Sequence, residues 1–409
     1  VRKNMTDNKK LELLAPGGNM QKAKTAFHFG ADAVYVGGKA FSLRAFADNF
    51  SNEELEELIK YAHEMGKKVY VTLNIFAKNE DFDKIADFLR FLDTVNVDGV
   101  LVSDPGIVMM YNELKIKTPL HLSTQANTLN KYSAKFWESQ NVGRIVVARE
   151  LSLAEVKDIA DNTSCEIETF VHGAMCISYS GRCLLSNYLT PRDANRGACV
   201  QACRWEYQIT EASREGEPLT MTEDERGTYI LNSKDLNLIR HIKDVAEAGS
   251  VSFKIEGRMK SEYYVATVVK SYREAMDAYL EGRELSEEIV ENLDKAGHRN
   301  YTTCYNIEKL DNTQNYESSK PIQSYDFIGQ VEKYENGYAH FVMRNRFKVG
   351  DTLEILASGD SFNKEFEVVE IKSESGDQIE DAKWVQQELV VKCPWEVERF
   401  DIIRKKKNA

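Results

Sequence analysis

The stretch Lys68-Val69-Tyr70-Val71-Thr72-Leu73-Asn74 decides how the first half of this 409-residue chain is read. It is an unbroken apolar run, it follows a helical stretch at 53–65 closed by Gly66, and it stops at a polar residue. Continuous apolar strands belong to sheets buried on both faces, and such sheets are parallel, with a helix between strands. Working outward, the same unit repeats. Leu11-Glu12-Leu13-Leu14-Ala15-Pro16 precedes a helix at 20–29 that Asn19 caps and Gly30 closes, and Ala33-Val34-Tyr35-Val36 precedes the helix at 53–65. Downstream, strands at 99–102, 119–123, 144–148 and 166–171 alternate with helices at 82–94, 107–115, 134–140 and 153–161. Val251-Ser252-Phe253-Lys254-Ile255 supplies an eighth strand before a long helix at 261–280. Eight strand–helix units favour a closed (β/α)8 TIM-like barrel over an open doubly wound sheet.

The barrel accounts for residues 1–310, with a cysteine-rich insertion at about 172–250 between strands seven and eight. That insertion should hold a hairpin (207–210 with 228–231) and a helix near 236–248. Polar residues 311–324 read as a linker, and 325–409, with its short strands and turn signals, as a small all-β barrel domain. The closing Arg404-Lys405-Lys406-Lys407 reads as a solubilising tail or a phosphate-binding strip. With 42% hydrophobic and 29% charged residues the chain is that of a globular protein. No run is long enough to span a membrane and no signal core opens the sequence, so a cytoplasmic location without a membrane partner is expected. A net charge of −12 argues against non-specific duplex binding, but not against an RNA held by a local basic patch.

Five of the seven cysteines cluster between 165 and 203. Cys176, Cys183, Cys199 and Cys203 are spaced C-x6-C-x15-C-x3-C, and thiolates at such spacing bind iron–sulfur clusters or zinc. Zinc knuckles prefer two to four residues between ligands, which only the last pair satisfies; unligated structural thiols are the third reading. Arg182, Arg192, Arg196 and Arg204 stand among the cysteines, and Arg196 and Arg204 are candidate contacts to an anionic substrate.

Residues at strand ends face the active end of such barrels. His172 is read as a proton donor or substrate contact, against a hydrogen-bonded structural histidine. Glu256, as a catalytic carboxylate, ends strand eight beside Arg258, with Lys254 two positions earlier; together they suit a dicarboxylate or phosphate, or else form an ion-pair network. Asn74, Gln125 and Arg149 end earlier strands and are candidate pocket residues. Tyr35, Trp205 and Tyr207 are candidates for stacking on a base, against a plain core role. Protease signatures are weak: there is no Gly-x-Ser-x-Gly, and His63-Glu64 is followed by Lys67 where a zinc-binding histidine is needed. Cys-His catalysis by Cys176 and His172 stays open.

Glu168-Thr169-Phe170-Val171-His172-Gly173-Ala174-Met175-Cys176, through Ile177-Ser178-Tyr179-Ser180-Gly181-Arg182-Cys183, resembles the signature of peptidase family U32. So do Arg192-Asp193-Ala194-Asn195-Arg196-Gly197-Ala198-Cys199, Cys203-Arg204-Trp205, Leu231-Asn232-Ser233-Lys234-Asp235-Leu236 and Phe253-Lys254-Ile255-Glu256-Gly257-Arg258-Met259-Lys260. The resemblance covers nearly the whole chain. It implies a 4Fe-4S cluster on Cys176, Cys183, Cys199 and Cys203 and hydroxylation without molecular oxygen. The implied substrate is the wobble uridine in the anticodon arm of tRNA, converted to 5-hydroxyuridine, with prephenate as co-substrate and small anionic metabolite. It also leaves three alternatives: a collagenase-like peptidase as the family name says, a hydroxylase of ribosomal RNA cytidine, or a non-catalytic cluster-bearing member of a pair with a paralogous partner subunit.

Overall fold

A computed structural model describes residues 11–39, 48–176, 178–179, 182–190, 192, 194–196, 199–205, 223–224, 227–228, 233–307 and 321–407. Eight parallel strands close into a barrel: β1 (Glu12–Pro16), β2 (Ala33–Gly37), β3 (Lys68–Leu73), β4 (Gly99–Val102), β5 (Leu120–Leu122), β6 (Arg144–Val146), β7 (Glu166–Ala174) and β8 (Ser250–Ile255). Each pairs with the next, and β8 pairs with both β7 and β1, which closes the ring. Helices α1 (Met20–His28), α2 (Asn52–Glu64), α3 (Phe82–Thr94), α4 (Pro105–Leu114), α5 (Lys131–Ser139) and α6 (Leu153–Ala160) follow β1 to β6, with the longest connections before α2, α3 and α5. Local chemistry fixes their starts. Asn19 Oδ1 accepts from the Lys22 amide, and Ser51 and Glu54 form a reciprocal capping box. The TIM-like barrel read from the sequence is therefore the observed fold.

The expected helix near 236–248 starts later than the sequence suggested. Asp235–Asn237 is instead a strand, antiparallel to the end of β7, and a 3-10 turn at Ile239–His241 leads into the α-helix Ile242–Glu247. Of the expected hairpin, 207–210 and 229–231 lie outside the described residues; Thr228 pairs instead with Glu223, in a short hairpin of Glu223–Asp224 with Gly227–Thr228. Most of the 311–324 linker lies outside them too, although Ile322 bridges to His298. Helix Glu262–Glu281 completes the barrel wall. No helix among the described residues is long and apolar enough to cross a membrane.

The C-terminal domain is a seven-strand antiparallel sheet with its own core of Ile328, Phe341, Leu353, Ile355, Val391 and Ile403. Its edge strands Glu365–Glu367 and Ile371–Ser373 do not pair with each other, so the expected small barrel is an open half-barrel. The basic ending is no tail: Ile402–Lys406 is a strand between Tyr325–Glu335 and Thr352–Leu356, and Arg404 is wholly buried. The domain is fastened along α1, where Gln330 bonds Gln21 and Thr25 (2.6 and 2.8 Å) and His28 meets Asp401 (2.7 Å).

Candidate active site

Polar groups run the length of the barrel bore. Near its N-terminal end Arg144 Nη1 meets Glu12 Oε1 at 2.5 Å and Glu168 Oε2 at 3.3 Å, and Lys254 Nζ meets Glu168 Oε1 at 2.7 Å. Tyr70 and Ser252 hydroxyls also donate to Glu12. Burial pushes the Glu12 carboxyl up, but Arg144, with Tyr70 and Lys68, together hold it below its ordinary value. A buried charge without such a partner would cost several kcal/mol, roughly, which is why the carboxylates and cations alternate.

At the C-terminal end the bore opens into a small cleft of about 60 Å³. Seven residues singled out from the sequence line it: Tyr35, Asn74, Gln125, Arg149, Lys254, Glu256 and Arg258. They come from β2 and the ends of β3, β5, β6 and β8, where a barrel places its chemistry. Thr72, Ser123, Thr124 and Phe170 complete the wall. Lys254 Nζ lies 4.5 Å over the Tyr35 ring, and the Arg149 guanidinium 4.1 Å over Phe170. Arg258 donates to Thr72 Oγ1 (3.0 Å) and Asn49 Oδ1 (2.6 Å), while Tyr35 OH reaches Glu256 Oε2 at 3.4 Å. Asn74 Nδ2 donates to Ser123 Oγ, but its Oδ1 is buried and has no partner among the described residues. An acceptor, three cations and a carboxylate thus converge on one small polar space. It suits an anion that also carries a hydroxyl group. A larger hollow at the opposite end is walled by Glu12, Lys67, Lys68, Arg144 and Glu166. There Arg144 is held between Glu12 and Glu166 at 2.5 and 2.7 Å, which makes it the foot of the bore network.

Gly173 is what lets β7 and β8 end so close together. Its φ is +109°, and a Cβ there would lie 2.5 Å from the Glu256 carbonyl oxygen. His172 corrects the sequence expectation. It does not line the cleft; it is 1% exposed, opposite Asn237, with the Tyr264, Tyr272 and Tyr301 rings at 6.1, 5.3 and 5.5 Å. Burial, then His298 and Lys260, press its pKa down to about 3, so the ring is neutral. Neither ring nitrogen has a hydrogen-bond partner among the described residues, so there is no Cys-His dyad with Cys176.

The cysteine segment lies against the rim of this cleft at two points. Arg149 Nη1 donates to the Ala174 carbonyl (2.8 Å), two residues before Cys176, and the Phe76 amide to the Asn195 carbonyl (3.3 Å). Within the segment Asn195 Nδ2 donates to the Cys183 carbonyl, and Ser186 joins Arg192 to Val200. Cys176 is exposed, Cys183, Cys199 and Cys203 are half-buried, and all four are free thiols, whereas Cys165, Cys304 and Cys393 are buried. Such accessible soft donors suit iron–sulfur or zinc. Their positions do not yet form a nest: among the described residues no three His, Cys, Asp or Glu side chains converge to hold a metal ion. Arg182 and Arg192 are exposed, Trp205 is 44% exposed, and Tyr207 and the Arg196 and Arg204 side chains lie outside the described residues. Sequence reading missed Thr72, Ser123 and Thr124, whose only signal was a hydroxyl at a strand end, and Arg144, whose partners are remote in sequence.

Two family models account for nearly all of this chain: peptidase family U32 over residues 18–316 and the peptidase family U32 C-terminal domain over 323–404. Among curated proteins it is 39% identical to tRNA hydroxylation protein P1 of Bacillus subtilis, over 98% of this chain and 96% of that one. It is 38% identical to tRNA hydroxylation protein P of Escherichia coli, covering 88% of this chain and 89% of the relative. The 23S rRNA 5-hydroxycytidine C2501 synthase of Escherichia coli is 33% identical over 85% of this chain and 52% of its own length. With both models matched in order and relatives this similar along the full length, the chain belongs to peptidase family U32.

Proposed function

We propose that this protein hydroxylates tRNA, converting the wobble uridine to 5-hydroxyuridine. The observation that carries the reading is the meeting of a cationic cleft with a segment of four free thiols at the C-terminal end of the barrel, in a chain similar to two tRNA hydroxylation proteins. The cleft takes a small anionic co-substrate of prephenate type: Arg149 and Lys254 face its carboxylates, and Asn74 Oδ1 accepts from its hydroxyl. Arg258, held by Thr72 and Asn49, supplies a third fixed positive charge. Glu256 is placed to take a proton, and Tyr35 and Phe170 keep that space narrow. Cys176, Cys183, Cys199 and Cys203 would hold a 4Fe-4S cluster, which would supply the redox chemistry that an oxygen-independent hydroxylation needs. Function places the protein with its tRNA in the cytoplasm.

The test is nucleoside mass spectrometry of tRNA from cells lacking the gene, complemented with the wild-type chain or with Cys176→Ala. Loss of 5-hydroxyuridine, restored by the wild type alone, is the expected result. Unchanged 5-hydroxyuridine with loss of 5-hydroxycytidine from 23S rRNA would move the activity to ribosomal RNA. Protein purified without oxygen should be brown and contain iron and sulfide; a colourless zinc protein would overturn the cluster assignment.

A further inference from the structure

Outside the seven-strand sheet of the C-terminal domain, Phe347–Lys348 and Asp381–Ala382 form an antiparallel ribbon, with Phe347 opposite Ala382 and Lys348 opposite Asp381. Phe347 and Ala382 are buried, so the alternate positions Arg346 and Lys348 stand outward and are exposed. The second strand runs on into Lys383-Trp384-Val385, where Trp384 is 75% and Val385 59% exposed. Arg344 precedes the ribbon, and Lys405 shares a hollow with Arg346 and Lys348.

Carboxylates lie within this strip, and the cations hold them. Asp381 takes a forked contact from Arg346 (2.9 and 2.6 Å) and one from Lys383 (3.4 Å), and Asp351 takes Lys405 at 2.7 Å. Exposed Glu380 is the other acid nearby. Five cations therefore outnumber three acids around a bare indole, on a chain whose overall charge is −12.

The position of the strip matters as much as its charge. Asn345 Nδ2 and the Arg344 amide donate to the carbonyls of Phe327 and Ile328, each at 2.7 Å. Phe327 stacks on Tyr263 (5.7 Å), at the start of helix Glu262–Glu281, just after Glu256 and Arg258 leave the cleft. The strip is thus on the end of the domain that adjoins the mouth of the barrel.

We propose that this strip binds single-stranded RNA, with a base stacked on Trp384 and phosphates met by Arg346, Lys348 and Lys383. Stacking on an aromatic face inside a cationic groove is how sequence-tolerant single-strand binding works. Resting on the tRNA reading above, it holds the strand that flanks the uridine brought to the mouth of the barrel.

The experiment measures Kd for a labelled, unmodified tRNA transcript by fluorescence anisotropy, using the full-length protein purified without oxygen. Trp384→Ala should weaken binding about tenfold, the loss of one stacked base. Arg346→Gln with Lys383→Gln should weaken it too and lower the slope of log Kd against log salt by about 1.4, roughly 0.7 per lost single-strand phosphate contact. Trp395→Ala, an exposed tryptophan elsewhere in the domain, should leave Kd unchanged. Circular dichroism melts confirm that each variant folds. If Trp384→Ala and the double variant both bind within twofold of the wild type while the wild type binds and modifies tRNA, the strip is not the platform and the hydroxylase reading stands. A wild-type chain that neither binds nor modifies tRNA overturns both.

Discussion

Two buried ion clusters in this molecule use the same chemistry for different ends. In the bore, Glu12, Arg144, Glu168 and Lys254 alternate along the barrel, and the chain of charges ends on a cleft. At the seam between the domains, Glu354 gathers Arg404, Lys295 and Tyr325. There Arg404 is wholly buried, and Lys295, half-buried, also bonds Asn363. Burial raises the Glu354 carboxyl, but Arg404 and Lys295 together hold it down, as Arg144, Tyr70 and Lys68 do for Glu12. Electrostatics alone does not separate the two. What separates them is whether the last cation of the chain touches a space that a ligand can enter, as Lys254 does and Arg404 does not.

The largest effect tests the sealed cluster. Glu354→Ala strands buried cations and should cost roughly 3–5 kcal/mol of stability, read as a lower urea midpoint, with hydroxylation per folded molecule unchanged. A loss below about 1 kcal/mol would show water reaching the seam and dissolve the contrast. Glu168→Gln tests the open cluster. Because Glu168 touches Lys254 and Arg144 rather than the cleft, it acts as a positioning residue, and its loss should lower kcat/KM roughly 10–100-fold, as with other groups that orient a ligand-holding side chain. Restored activity in Glu168→Asp would support positioning; wild-type activity in Glu168→Gln would show that the bore network is as structural as the seam.

The barrel was legible because β1, β2, β3 and β8 are apolar runs long enough to show burial on both faces, and the cleft because polar residues close those runs. The bore network was not legible, since Glu12 and Arg144 meet across 132 positions and nothing local announces the pair. Arg404 misled for a related reason: a terminal basic run looks solvated until Ile402 and Ile403 are seen to make it a strand whose buried side faces Glu354. His172 misled because Asp235–Asn237, itself taken for a helix, extends the sheet over the end of β7 and turns the ring away from the cleft.

His172 gives the finest test, since it is as buried as Glu354 but lacks the partners that Glu354 has. With its pKa near 3 in the folded chain and about 6.5 in the unfolded one, only the unfolded chain binds a proton between those values. Stability from this group is full above pH 6.5 and falls as the pH drops, by about 1.4 kcal/mol per pH unit. His121, buried and held well below its ordinary value by burial and then Arg144, acts with the same sign. The depressed carboxylates Glu12 and Glu354 lose their contribution only as the pH falls toward and below the usual carboxylate range. In the window from pH 6.5 to 5 the histidines therefore dominate, with Glu150, whose carboxyl burial raises, acting in the opposite direction in wild type and variant alike. Urea denaturation across it should show a steep fall for the wild type and a shallower one, carried by His121, for His172→Phe. Equal slopes would mean that His172 titrates normally in the folded chain. Water would then reach its ring, and the wall between His172 and the cleft would be open.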